Sequence, residues 1–234
     1  MGTWILNGYV NVVGNVLAPR HLYLDGGKIA LMVDASAVPV PETRESDKVI
    51  DAKGLLVSAG FIDMHVHLRE PGFEHKETIA TGTRSAARGG FTTIACMPNT
   101  RPVTDNPETL RYVLDKAATE GCGVRVLPYA AITKQEQGRE LTDFAALKAA
   151  GAIGFTDDGV GVQSAGLMKR AMRAAKELGL PIVAHCEDNT LLDGAAVTDG
   201  RFARNHGLKG IPNESEAIQV ARDILLAEAT GVHY

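Results

Sequence analysis

Two histidines one residue apart are the side chains in this sequence best suited to chemistry. His65 and His67 lie in the segment GFIDMHVHLREPG. Successive side chains of an extended strand point to opposite faces, so residues two apart share a face. Two imidazoles on one face can bind a single metal ion, and imidazole suits zinc or a similar metal. The pair alone also fits two half-exposed strand histidines, so other polar groups must decide.

Polar side chains also follow three later apolar segments of the chain. Asn99 follows FTTIACMP, Asp157 and Asp158 follow AIGFT, and His185 follows IVA. Parallel α/β folds place their sites at the carboxyl ends of the strands, and a core would exclude such groups. We therefore expect the histidines and one aspartate to form a metal site. The spacing alone does not separate Asp157 from Asp158.

The elements that must position these residues alternate between strand and helix from about residue 55. Asn106, Ser164 and Asn213 are typical of helix starts, and glycines are typical of the ends. The pattern predicts five βα units and the first residues of a sixth strand, which implies parallel strands. A doubly wound open sheet fits this alternation as well. Polar groups at several successive strand ends favour a (β/α)8 TIM-type barrel.

The first 54 residues follow a different pattern. Short apolar stretches are separated by Asn7-Gly8 and by Asp25-Gly26-Gly27, which are typical hairpin-turn residues. We expect residues 1–54 to form a small antiparallel β module and residues 55–234 to form the first part of the barrel. No charged cluster in the module indicates chemistry.

Composition limits the classes of function. The chain has 234 residues, of which 45% are hydrophobic and 5% aromatic, with a net charge of −4. These values disfavour a nucleic-acid surface, a base-stacking platform and a polybasic membrane patch. The three cysteines are too few for a disulfide framework. Without a signal peptide or an apolar run long enough to span a membrane, the expected location is the cytoplasm.

The motifs HVHLREPGFEHKE, ACMPNTRP, FTDDG and AHCED together resemble the class I bacterial dihydroorotase family of the amidohydrolase superfamily. The resemblance covers essentially the whole chain. It implies a metal-dependent hydrolase barrel beside a small β-sandwich, to which residues 1–54 would belong. It also implies zinc-dependent, reversible hydrolysis of (S)-dihydroorotate to N-carbamoyl-L-aspartate in pyrimidine (UMP) biosynthesis, with one or two zinc ions.

The resemblance also implies roles for individual residues. His65, His67, Asp157 and His185 match metal ligands, with Asp157 preferred as the carboxylate that contacts both metals. Arg69 and Asn99 match the residues that hold the substrate carboxylate. A further metal histidine and the general-base aspartate are expected beyond residue 234, so we expect the chain to be an N-terminal portion of a longer enzyme. A homodimer or an association with aspartate transcarbamoylase is also expected.

Two other functions remain open from the sequence. A related cyclic amidohydrolase that acts on hydantoins, dihydropyrimidines or allantoin would share the histidine pair, but Arg69 and an aspartate in place of a bridging lysine favour dihydroorotate. A non-catalytic dihydroorotase-like subunit is the second alternative. Such a subunit would be expected to lose metal ligands, whereas His65, His67 and His185 are all present.

Overall fold

A computed structural model describes residues 2–12, 14 and 16–234 of the chain. The chain divides into two compact units, Met1–Gly60 and Phe61–Tyr234. All the histidines, carboxylates and polar residues that the sequence places in the site belong to the second unit.

The first unit contains one five-stranded sheet in which β3, β2, β1 and β4 are neighbours in that order, and β5 also pairs with β1. Asp25, Gly26 and Gly27 form the expected tight connection from β2 to β3, and both glycines have positive φ. The strands are β1 (Thr3–Val12), β2 (Val16–Asp25), β3 (Lys28–Asp34), β4 (Lys48–Asp51) and β5 (Leu56–Val57).

This unit differs from the expected antiparallel module. β4 and β5 both run parallel to β1, so the sheet is mixed. Asn7-Gly8 is not a turn, because the residues lie inside β1 at an irregularity in its pairing with β2. The division falls after Gly60 rather than after residue 54, because Leu56–Val57 pairs with β1. Among the described residues, this unit has no second sheet that would complete a sandwich.

The strands of the second unit lie side by side in chain order. β6, β7 and β8 form a parallel sheet. Single bridges continue it from Ala130 to Phe155 and from Phe155 to Ile182, and Ile182 N donates to His233 O at 2.9 Å. A doubly wound sheet reverses its strand order, whereas a (β/α)8 barrel does not. The strands are β6 (Phe61–Val66), β7 (Phe91–Cys96) and β8 (Arg125–Pro128), and a short parallel pair, β9 (Val197–Thr198) and β10 (Gly210–Ile211), lies apart from them.

Helices connect these strands and begin largely as the sequence predicts. The Asn106 and Ser164 side chains accept hydrogen bonds from the backbone N–H groups of Thr109 and Leu167, which satisfies otherwise unpaired donors. Asn213 instead has helical φ and ψ and makes no capping bond. The helices are α1 (Ile79–Arg88), α2 (Pro107–Glu120), α3 (Phe144–Ala150), α4 (Ala165–Glu177), α5 (Arg201–Asn205) and α6 (Glu214–Thr230). Among the described helices, none has both the length and the apolar character needed to cross a membrane.

Apolar packing between the strands and α2, α3 and α4 decides which way the strand residues face. Phe155 is fully buried in this core, and its ring stacks on that of Phe144 with centroids 3.8 Å apart. Because side chains alternate along an extended segment, Thr156 and Asp158 face away from the helices. Two further apolar clusters involve these strands: one contains Ile94, Cys96 and Val126 with Ile79 of α1 and Val113 of α2, and the other consists of Ala95, Met97 and Tyr129.

Candidate metal centre

His65, His67 and Asp158 come together at the carboxyl ends of β6 and of the segment that contains Phe155. One ligand atom from each of the three residues lies within 4.8 Å of the other two. His65 Nε2 is 3.5 Å from Asp158 Oδ1, and His67 Nε2 is 3.4 Å from Asp158 Oδ2. Among the described residues, no lysine or arginine pairs with this buried carboxylate. Two imidazoles and a carboxylate form a donor set that fits zinc.

Asp158, rather than the expected Asp157, is therefore the carboxylate beside the histidines. Asp157 points to Thr133, whose N–H donates to Oδ1 at 3.0 Å and whose hydroxyl donates to Oδ2 at 2.5 Å. The reason is the alternation set by Phe155, which turns Asp157 away from the face that Asp158 shares with the histidines. Burial raises the pKa of Asp157, and the two hydrogen bonds from Thr133 partly offset that effect.

His185 borders the same cavity but does not join the group of three. A cavity of about 360 Å³ is lined by His65, Asp158, His185 and Glu187 among others. His185 Nε2 pairs with a different carboxylate, that of Glu187, whose Oε1 lies 4.0 Å away. A cavity of this size accommodates a small ligand. His185 therefore forms part of the wall and faces the same space as the other candidate ligands.

Two glutamine side chains hold the backbone that follows His185. Gln219 of α6 is 3% exposed, and its amide both donates to Glu187 O at 2.8 Å and accepts from Glu187 N at 3.2 Å. Gln163 Nε2 donates to Glu187 O as well, at 2.9 Å. Gly161 has φ +61°, and a Cβ there would lie 2.7 Å from His185 O. No local sequence pattern predicts these contacts, because Gln163 and Gln219 are both remote from Glu187 in the chain.

Asn99 lies between two of the candidate ligands. Its Oδ1 is 3.0 Å from His67 Nδ1, and its Nδ2 donates to Asp158 Oδ2 at 3.1 Å and to Asp158 O at 3.3 Å. Arg69 has left-handed backbone geometry, with φ 61°, which is unusual for a bulky side chain. Its guanidinium makes no ion pair with any residue that the structure describes.

Comparison with known proteins identifies the family. A model of the family described as dihydro-orotase-like matches residues 54–234. The chain belongs to this family. It is 56% identical to a dihydroorotase of Brevibacillus brevis, in a match that covers the whole chain and 54% of that protein. It is 64% identical to a dihydroorotase of Geobacillus sp. strain WCH70, in a match that covers 82% of the chain and 45% of that protein. The chain therefore spans about half the length of the curated relatives it matches.

The dihydro-orotase-like chain also shares its fold with solved hydantoinases. Its structure matches an L-hydantoinase (dihydropyrimidinase) from Arthrobacter aurescens with a TM-score of 0.76 and 22% identity. The match covers 98% of this chain and 51% of that one. At this identity the likeness shows a common α/β fold.

Two carboxylates of this family member were not predicted from the sequence. Glu70 is 4% exposed: its Oε2 accepts from Ile79 N at 2.9 Å, and its Oε1 accepts from the Tyr112 hydroxyl at 3.0 Å and lies 3.2 Å from Lys116 Nζ. Glu70 thus ties the loop after His67 to α1 and α2. Its position next to Arg69 in the motif REPG was the available signal.

Glu136 is the second unpredicted carboxylate. Burial, with the nearby charges of Asp157, Asp158 and Asp105, raises its pKa to about 8. Its Oε1 is buried and has no hydrogen-bond partner among the described residues. Gln135 and Glu136 have φ of 52° and 54°, so two successive non-glycine residues are left-handed. No pattern in the sequence indicates this geometry.

Proposed function

We propose that the protein is a zinc-dependent dihydroorotase that reversibly hydrolyses (S)-dihydroorotate to N-carbamoyl-L-aspartate. The convergence of His65, His67 and Asp158 carries this proposal, because it puts metal-binding donors at the strand ends of a dihydro-orotase-like chain. The curated relatives at 56% and 64% identity are named dihydroorotases, which supports the same reaction. This reaction would be a step of pyrimidine biosynthesis.

His65, His67 and Asp158 would hold the first ion, and His185 would face a second ion from the wall of the cavity. A bound zinc ion supplies Lewis acidity, which polarises a carbonyl oxygen and activates water at neutral pH. Hydrolysis breaks the ring C–N bond, as water adds a hydroxyl to the carbonyl carbon and a proton to the nitrogen. The general-base aspartate that the resemblance implies beyond residue 234 stays a prediction.

Arg69 and Asn99 would orient the substrate. A guanidinium presents parallel N–H donors that match a carboxylate, and the Arg69 guanidinium has no competing ion pair among the described residues. The carboxylate of dihydroorotate is remote from the bond that breaks, so these contacts would act by positioning the ring. An uncharged hydantoin would gain little from this guanidinium, and the proposal therefore favours dihydroorotate.

Unit 2 would be the first part of a (β/α)8 barrel, since five parallel strand positions follow one another in chain order and His233 bonds to the last of them. Unit 1 would belong to a small β-sandwich. A cytoplasmic location, a homodimer and an association with aspartate transcarbamoylase stay predictions.

Turnover of dihydroorotate by the full-length protein that contains this chain, with a hydantoin as the comparison substrate, tests the function. We expect selective turnover of dihydroorotate that a chelator abolishes and added zinc restores. Selective hydantoin turnover would contradict the substrate, and binding of zinc without turnover of either compound would favour a non-catalytic subunit.

An Arg69→Lys variant tests the substrate contact. Lysine keeps the charge but loses the paired donors, so we expect KM for dihydroorotate to rise about tenfold with an unchanged zinc content. Arg84→Lys, on the exposed surface of α1, is the matched control and should leave KM unchanged.

A further inference from the structure

The Asn99 amide makes three contacts that link two candidate metal ligands. Its oxygen faces His67 Nδ1 at 3.0 Å, and its nitrogen faces the Asp158 backbone oxygen at 3.3 Å and Oδ2 at 3.1 Å. The resemblance assigns Asn99 only to the substrate. These contacts give it a different set of partners within the protein.

The partners leave one orientation for the amide. Both Asp158 atoms are acceptors, so the NH₂ group of Asn99 must face them and its carbonyl oxygen must face His67. The opposite orientation would place an amide oxygen against a carbonyl and a carboxylate oxygen at hydrogen-bond distance. Both hydrogens of Nδ2 are then engaged by Asp158.

The orientation of Asn99 in turn decides which nitrogen of His67 carries hydrogen. An amide oxygen at 3.0 Å needs a donor, so Nδ1 is protonated and, in the neutral ring, Nε2 presents its lone pair. That lone pair lies 3.4 Å from Asp158 Oδ2. A lone pair facing a carboxylate oxygen is unfavourable unless a cation lies between them, which is what a metal site provides.

We propose that Asn99 is a positioning residue that selects the Nδ1–H tautomer of His67 and holds Asp158 Oδ2 beside its Nε2, so that these two ligands are set before a metal binds. The metal-binding part of the inference rests on the proposed function. Groups that hold a metal ligand through its second nitrogen typically change metal affinity about 10–100-fold when they are removed. A substrate carboxylate that bound Asn99 Nδ2 would have to take a hydrogen from Asp158, which would couple substrate binding to the metal ligands.

Nitrogen-15 NMR of the metal-free protein, at a pH where imidazoles are neutral, tests the tautomer directly. We expect His67 to carry hydrogen on Nδ1 in the wild type, and Asn99→Ala to convert His67 to a mixture of tautomers. Asn99→Asp keeps an acceptor for Nδ1 and should keep the tautomer. An Nε2–H tautomer in the wild type, or an unchanged tautomer in Asn99→Ala, would overturn the inference.

Asn106→Ala is the matched control, because it removes an asparagine amide that caps α2 away from the site. It should lower the unfolding temperature and leave His67 unchanged. Comparison of the two alanine variants therefore separates a general loss of stability from a local loss of the tautomer.

Cobalt(II) affinity, measured by absorption spectroscopy, tests the connection to the metal. We expect Asn99→Ala to weaken cobalt binding about 10–100-fold, because it removes both the acceptor for His67 Nδ1 and the donor to Asp158. Unchanged affinity in Asn99→Ala would contradict a role in positioning ligands. The tautomer is measured without metal or turnover, so its shift can be established even if dihydroorotate proves not to be the substrate.

Discussion

The two sides of the cavity are organised by different kinds of contact. On one side, His65, His67 and Asp158 approach one another directly, and Asn99 bonds to two of them. On the other side, His185 is held through the backbone that follows it, which Gln219 clamps at Glu187. Direct side-chain contacts make the first side sensitive to single ligands. The second side instead depends on the loop that carries His185.

The largest effect is expected from changing Asp158, the carboxylate that both imidazoles face on the first side. Asp158→Asn loses the charge that both imidazoles face, so we expect zinc affinity to fall by more than the roughly 100-fold seen for outer partners. Titration with zinc against a competing chelator measures this. Asp157→Asn is the matched control: it should keep zinc and lose about 1–3 kcal/mol of unfolding free energy, because its bonds to Thr133 weaken. The reverse result would return the ligand role to Asp157.

Glu70 tests how firmly the loop behind the first side is fixed. Glu70→Ala removes a buried carboxylate from Ile79 N, Tyr112 and Lys116, so we expect a loss of about 3–5 kcal/mol in denaturant unfolding. Glu120 also pairs with Lys116 but is exposed, and Glu120→Ala should cost about 0–1 kcal/mol. Equal losses in the two variants would show that the loop does not depend on the buried carboxylate.

Gln219→Ala loosens the second side without touching the first. The Glu187 N–H loses its acceptor, so we expect its hydrogen exchange to accelerate about tenfold or more while zinc binding by His65, His67 and Asp158 is kept. Exchange-rate measurements by NMR test this. Gln137→Ala, at an exposed glutamine, is the control. Exchange at Glu187 that stayed as slow as in the wild type would remove the proposed difference between the two sides.

The buried carboxyl of Glu136, which lies near Asp157 and Asp158, is expected to make the free energy of unfolding depend on pH, with a smaller effect. Its pKa of about 8, against 4.5 in a free side chain, means that the unfolded chain releases this proton first as pH rises. The native state of the metal-free protein is therefore progressively disfavoured between these values, and the difference is constant above pH 8.

Glu136→Gln should match the wild type below this window and be more stable above it, by roughly 1–3 kcal/mol after allowance for solvent screening. Denaturant unfolding across the pH range measures the difference. Glu140→Gln, at an exposed partner of Lys134, should show no such growth with pH. A constant difference between Glu136→Gln and the wild type at all pH values would contradict the burial of this carboxyl.

Local signals predicted much of the architecture that supports the site. The run Asn106-Pro107, followed by Gly121, predicts α2 because each residue type suits its position at a helix end. The order of strands and helices and the polar residues at strand ends likewise predicted where His65 and His67 lie. The family resemblance, rather than spacing, supplied the reaction and the substrate.

The missed features depend on facing and on distant contacts. The packing of Phe155 against the helices decides between Asp157 and Asp158, and the alternation from this apolar residue was the usable signal. Asn213 fits a capping motif but adopts helical geometry and makes no capping bond, so the local preference did not decide its conformation. Gln219 bonds to Glu187, and Glu136 lies near Asp157 and Asp158. These partners are far away in the chain, so no short window of sequence predicts the contacts.

The chain-order arrangement of the parallel strands has a consequence for synthesis. Each new strand docks beside the one made just before it, so the assembly of unit 2 can follow the ribosome from one end of the chain to the other. His65 and His67 are made first, Asn99 next and Asp158 later, whereas Gln219 emerges well after His185. At about 5–20 residues per second, the nascent protein contains His65, His67 and Asp158 seconds before Gln219, which bonds to the backbone after His185, has been made.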